Sequence, residues 1–194
     1  MLRINDALED VAVKVLTTAF ADNPGVLAFV KKDRKVHRRV KHLCRFCIQI
    51  ARKKSGAYIT SNHKGVALVF DNEQKLPWFF AIRWYAYLGQ FSVGWLRAIP
   101  MLLREKRIKD QRMKQRAYYF WMLAVEDQSH GLNPLIEIKE FVFQRSREDQ
   151  MDLLAETISQ RTLSMYLRYG FEIYNTLNDA NGSTIYFIRR PWYR

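Results

Sequence analysis

The sequence predicts an α/β fold in a single domain, residues 1–194. Three observations carry this. Hydrophobic residues make up 48% of the chain and aromatics 14%, ample for one packed core. Segments with helical spacing of apolar residues alternate with short β-like runs. The most apolar of those runs, residues 118–125, lies inside the alternation, so it is expected to be a central strand covered on both faces.

The elements follow in order. In residues 6–21, Leu8, Val11, Val15, Leu16 and Phe20 recur at helical spacing, and Asp6 with Glu9 resembles a helix start. Asp22-Asn-Pro-Gly25 stops that helix. Residues 33–53 form a second helix whose stripe is Val36, Val40, Leu43, Cys47 and Ile50. After Ser55-Gly56, residues 57–60 and 66–70 read as two strands joined by a polar turn. Residues 76–103 are apolar and rich in aromatics, but Arg83, Gln90 and Arg97 interrupt them. No run reaches the roughly 18 apolar residues of a spanning helix. One or two helices are expected there, with a basic helical tail to about Arg116. Then come the strand 118–125, a polar loop, a helix over 132–145 with Pro134 in its first turn, and a strand over 152–158. A short helix, 162–169, ends at Gly170, and strands 171–174 and 184–189 close the chain.

Charge is uneven. The chain carries 32 Lys and Arg against 19 Asp and Glu, net +13. Residues 31–54 hold 11 basic residues and one acid, and residues 97–116 hold eight and two. Local basicity of this kind suits anionic partners or is a solvated face. Two cysteines cannot make a disulfide framework, and the N-terminus has no signal-peptide apolar run, so a reducing cytoplasm is expected.

Two stretches carry a family resemblance. Tyr119-Phe-Trp-Met-Leu-Ala-Val-Glu-Asp-Gln-Ser-His-Gly131, and Ala155-Glu-Thr-Ile158 followed by Ser164-Met-Tyr-Leu-Arg-Tyr-Gly-Phe171, resemble the fourth strand with its cofactor loop and the fifth strand with its short helix in the GCN5-related N-acetyltransferase (GNAT) superfamily. The resemblance implies a mixed, mainly antiparallel sheet flanked by helices, with residues 76–116 as a helical, aromatic-rich insert. It implies an N-acetyltransferase that passes an acetyl group from acetyl-CoA, a co-substrate, to an amine acceptor by direct attack, with no metal. Leu123, Ala124 and Val125 would offer backbone groups to the pantetheine amides, and His130, Gly131, Leu132, Asn133 and Leu135 would form the phosphate loop. Thr162 stands where many members have an Asn on the pantetheine arm. Tyr166 matches the Tyr that protonates the departing thiolate, and Glu126 is the candidate base.

The loop departs from the family pattern. His130 replaces a Gln or Arg, and Asn133 and Leu135 replace Gly or a small residue; a second register, Gln128-x-x-Gly131, keeps the Gln but shortens the loop. A GNAT-like binding or regulatory protein without catalysis is therefore the alternative reading. A basic nucleic-acid or membrane-surface binder is a third, though no RNA- or DNA-binding motif stands in the sequence.

The remaining signals are bland. Cys44-Arg-Phe-Cys47 lies mid-helix with no second ligand pair and reads as two packed thiols. His37, His42 and His63 show no metal-ligand spacing. The aromatics of 76–103 are expected mostly in the core; an exposed patch for a homodimer or a membrane is the other reading.

Overall fold

The computed structural model describes residues 1–31, 33–126, 133–179 and 182–194. In chain order the elements are β1 (Leu2–Arg3), α1 (Asp6–Phe20), α2 (Pro24–Phe29), α3 (Val36–Lys53), β2 (Ala57–Ile59), β3 (Gly65–Asp71), α4 (Trp78–Leu88), a π-helical turn (Gly89–Val93), α5 (Trp95–Asp110), β4 (Tyr118–Val125), α6 (Asn133–Glu148), β5 (Leu153–Thr157), α7 (Gln160–Arg168), β6 (Glu172–Asn178) and β7 (Thr184–Arg190). The strands form one sheet in the order β1-β2-β3-β4-β5-β7-β6. Only β4 and β5 run parallel; every other pair is antiparallel, so the expected mixed, mainly antiparallel sheet is what forms.

Local chemistry sets the boundaries. The cap of α1 is Asn5, not Asp6: its Oδ1 accepts the Leu8 N–H at 3.1 Å. Asp6 and Glu9 instead reach across to Arg52 on α3, at 2.5 and 2.6 Å. Asn23 ends one helix and starts another, since its side chain caps α2 by accepting the Val26 N–H at 3.2 Å. Gly56 joins α3 to β2 where a Cβ would stand 2.2 Å from the Val69 carbonyl oxygen, so no larger residue fits without moving β3. Gly170 ends α7 at φ +83°, a conformation that side chains strain.

The sheet separates two apolar layers. On one face α1, α3 and α4 pack Leu16, Val40 and Ile48 against Ile59 and Leu68. On the other, α6 and α7 pack Ile138, Val142 and Leu163 against Leu153 and Ile188. Burial of each such side chain is worth roughly 1.5–3 kcal/mol relative to exposure.

The aromatic segment departs from expectation. Trp84 is buried and Phe80 and Tyr87 are half-buried, but Trp78, Phe79, Tyr85 and Phe91 are exposed. The cause is geometric. As α4 proceeds from Phe80 to Tyr87, its contacts on α3 retreat from Lys53 through Phe46 to His42, so the helix lies antiparallel on α3 along one face.

Candidate active site

The site begins as a fault in the sheet. β4 has eight residues and β5 has five, yet they pair only at Tyr118↔Leu153, Tyr119↔Leu154 and Phe120↔Ala155. Beyond Phe120 the strands splay. On its other side β4 slips register against β3: Leu68 faces Met122 and Val69 faces Phe120, leaving Trp121 as a bulged residue without a partner. Bulge and splay together leave backbone donors and acceptors of β4 facing the gap rather than a neighbouring strand.

The gap opens into a cavity of about 720 Å³. One wall is the end of β4 and the start of α7, with Leu123, Thr162 and Tyr166; the opposite wall is α3, α4 and α5, with Phe46, Tyr85 and Met101. That size suits a small-molecule site.

The cavity wall is mostly apolar, with Arg104, Ser159 and Thr162 among its polar side chains, and it holds one hydrogen-bonded group of four: Arg112, Glu156, Glu105 and Tyr119. Arg112 donates from Nε to Glu156 at 2.5 Å, and from Nη2 to the Tyr119 hydroxyl at 2.9 Å and to Glu105 at 3.2 Å. The Tyr119 hydroxyl donates to Glu156 at 3.2 Å. Burial works against the Arg112 charge, but Tyr119, Glu156 and Glu105 more than offset it and hold its pKa above the usual value. Burial pushes the Glu105 carboxyl above the usual carboxylate range, and the Glu156 charge adds to this while Arg112 opposes it. Glu105 nevertheless stays reachable, its side chain half-exposed. This network escapes sequence inspection: Glu105 and Arg112 lie in a basic segment and Glu156 in a strand, with no spacing that links them. An acid inside an otherwise apolar strand is the only signal.

The sequence-derived candidates fall into three groups. Leu123, Ala124 and Val125 lie on β4, and Thr162 and Tyr166 on α7; all five line the cavity. The Thr162 N–H donates to Ser159 Oγ, the cap of α7, at 3.2 Å. Tyr166 is buried, its ring edge-to-face with Phe171 at 4.8 Å, and burial alone raises its pKa. Among the described residues its hydroxyl has no hydrogen-bond partner. Leu135, in the first turn of α6, lines instead a pocket of about 30 Å³ shared with Tyr169 and Lys139. Asn133 is the first residue of α6, and His130, Gly131 and Leu132 lie outside the described residues. Glu126 follows β4; its N–H donates to the Lys64 carbonyl at 2.7 Å, and it is not part of the cavity wall.

Cys47 also touches the cavity, but burial raises its thiol well above the usual value, and Cys44 is pushed up to about 11, so neither is a nucleophile near neutral pH. Among the described residues no group of three His, Cys, Asp or Glu is placed to hold a metal ion, and no helix is long and apolar enough to cross a membrane.

No family model and no curated protein matches the chain. Solved structures do. A structure of histone acetyltransferase HPA2 and related acetyltransferase from Corynebacterium glutamicum superposes with a TM-score of 0.68 at 17% identity, covering 98% of this chain and 94% of that one. The C-terminal condensation domain of Ebony, in complex with beta-alanyl-dopamine, gives 0.65 at 11% identity, covering 98% and 97%. Arylalkylamine N-acetyltransferase 2 from Aedes aegypti gives 0.63 at 14% identity, again covering 98% and 97%. At these identities the likeness is one of fold, and it agrees with the splayed β4 and β5 and the cavity between them: the chain has the fold of the GNAT acetyltransferase superfamily.

Proposed function

We propose that the protein is an acetyl-CoA-dependent N-acyltransferase whose acceptor is an amine carried on an apolar body. The observation that carries this reading is the splay of β4 from β5, opening a cavity with a buried Tyr hydroxyl on one side and an acidic pair on the other. When bound, acetyl-CoA supplies an activated acyl group and a thiolate that can leave. The unpaired edge of β4 at Leu123, Ala124 and Val125 matches the amides of a pantetheine arm, and Thr162 adds a hydroxyl at the mouth of α7. A backbone N–H in the bulged stretch of β4 would hold the charge that develops on the acyl carbonyl oxygen.

The acceptor would enter from the α3–α5 side. Phe46, Tyr85, Leu88 and Met101 form an apolar bed, and Glu105 and Glu156 would attract the ammonium end. Glu105 is a better-placed base than Glu126 because it faces the cavity with a raised pKa, closer to the range in which a carboxylate takes a proton from an amine. Glu156, paired to Arg112, sets the local charge. Tyr166 stays protonated near neutral pH because burial raises its pKa, so it can donate to the leaving thiolate. Two buried free thiols fit a reducing cytoplasm.

A non-catalytic binding role is the second reading. The observation that favours it is Pro134, which removes an N–H donor from the first turn of α6, where a phosphate would otherwise find one. A screen of aryl- and alkylamines, following CoA release with a thiol reagent, separates the two. Turnover with apolar amines is expected; acetyl-CoA binding without turnover on any amine would favour the second.

A further inference from the structure

The two helices after β3 each present an apolar side that nothing among the described residues covers. On α4, Trp78, Phe79 and Ile82 are 63%, 66% and 61% exposed. On α5, Ile99, Leu102 and Leu103 are 68%, 48% and 60% exposed. Singly exposed apolar residues are ordinary, but these are not scattered. Positions 78, 79 and 82 share one side of α4, and 99, 102 and 103 share one side of α5 at i, i+3, i+4 spacing. Trp78 and Phe79 stack on each other at 3.5 Å between ring centroids instead of turning inward.

Basic residues border this face. Arg83 follows Phe79 by four positions on α4, Lys106 follows Leu102 and Leu103, and Arg107 follows Leu103 by four; all three are exposed. The dense basic stretches of the chain also lie on this side of the sheet, on α3 and α5, across from α6 and α7. Residues 97–116 alone carry eight basic residues against two acids. One of those acids, Glu105, is turned to the cavity and tied to Arg112.

We infer that the α4–α5 face docks the protein on an anionic membrane surface, with Trp78, Phe79, Ile82, Ile99, Leu102 and Leu103 entering the headgroup–acyl boundary and Arg83, Lys106 and Arg107 meeting lipid phosphates. Aromatic and aliphatic side chains on one face with Lys and Arg at its margins is the composition of a helix that lies in the interface rather than crosses it. Neither helix is apolar enough to span. Charge decides against a second copy of the chain as the occupant. A two-fold contact through this face would bring basic borders of two chains, each net +13, against one another. An anionic surface has the complementary sign. The inference does not depend on acetyl transfer: Tyr85 and Leu102 are both exposed and on the cavity wall, so the docked face would adjoin the cavity whatever the cavity binds.

Vesicle flotation tests this with the full chain. Phosphatidylcholine vesicles with and without phosphatidylglycerol are the probes, over a salt series. Binding is expected only with phosphatidylglycerol, and weakening as salt rises. Each basic side chain near an anionic surface is worth roughly fivefold in partitioning, so Lys106→Glu with Arg107→Glu should lower binding by at least about tenfold. Trp78→Ser with Phe79→Ser should do the same without changing the melting temperature, since both side chains are exposed. In the unsubstituted protein, phospholipids brominated on their acyl chains should quench part of the tryptophan fluorescence, a readout that requires no variant. Three results would overturn the inference: no binding to phosphatidylglycerol vesicles; binding that ignores both pairs of substitutions; or a dimer in sedimentation that dissociates on Trp78→Ser with Phe79→Ser, which would make a second copy the occupant. Binding abolished by the charge pair alone, without quenching by brominated lipid, would mean that the apolar face does not enter the bilayer and would also refute it.

Discussion

Tyr166→Phe isolates one hydroxyl. The ring is buried and packs edge-to-face against Phe171 and Phe120, at 4.8 and 6.4 Å, and all of that packing survives in Phe. The hydroxyl has no partner among the described residues, so its loss leaves no polar atom newly unsatisfied. Stability should therefore change by no more than about 0.5 kcal/mol, as for a substitution that touches no special feature. For a chain of this size that is under about 2 °C in Tm. Turnover should respond very differently. Burial alone raises the Tyr166 pKa, so the group remains a proton donor through neutral and mildly alkaline pH. If it protonates the thiolate, its removal should lower kcat by about 10²–10⁴-fold, the usual worth of general acid catalysis. At 1.36 kcal/mol per decade this is about 3–5 kcal/mol of barrier, far outside the stability effect. The assay is CoA release with a thiol reagent at saturating acetyl-CoA, beside a melt of each protein. Tyr169→Phe is the control, because Tyr169 lies on the smaller pocket beside Lys139 and not on the cavity wall. Full activity in Tyr166→Phe, or a melting temperature lowered by many degrees, would refute the reasoning.

Two further outcomes follow from the charged group under the cavity. Arg112→Met strands Glu156 and Tyr119, each mostly buried, and should cost about 3 kcal/mol, the lower end for breaking a buried pair because Glu105 is half-exposed. Thermal melts should place the variant roughly 6–12 °C lower at neutral pH; an unchanged melting temperature would show that the network is not holding the layers together. Glu105 has a folded-state pKa raised above its unfolded value, so its protonated form favours the fold, and that stability, full below the unfolded pKa, is lost as pH rises through the folded one. Glu105→Gln should accordingly melt higher than the parent at neutral pH and equal to it in acid, while slowing amine acetylation and removing the rise of kcat/KM with pH that deprotonation of this carboxyl produces; a variant that melts lower and keeps that rise would assign the base elsewhere.

Where the sequence was readable, a local pattern carried the information. Residues 118–125 are continuously apolar, and they form β4 with those bounds. The run Tyr166-Leu-Arg-Tyr-Gly-Phe171 carries its own stop, and Gly170 takes the positive φ that ends α7. What stayed hidden depended on contacts distant in sequence. Arg112 and Glu156 are 44 residues apart and meet only because α5 folds back over the splayed strands. β1, two residues long, gains its identity from pairing with Ile59 and Tyr58 rather than from any alternation of its own. The aromatics of α4 divide in a way hydrophobicity does not reveal, because it indicates that a face prefers cover, not that the chain supplies it; Trp84 and Tyr87 pack on the core, and among the described residues no later element covers Trp78 or Phe79.

The most direct test of the central claim is calorimetric titration of the protein with acetyl-CoA, beside thermal melts. Saturable binding of one molecule per chain is expected, and at a hundred times Kd the ligand should add about 2.7 kcal/mol to stability. That corresponds to a rise of roughly 5–11 °C in Tm. Thr162→Trp, which places an indole in the mouth of the gap between β4 and α7, should abolish both signals while leaving the unliganded melt in place. No heat and no stabilisation at about 1 mM acetyl-CoA, a concentration that would reveal even a weak site, would contradict the account.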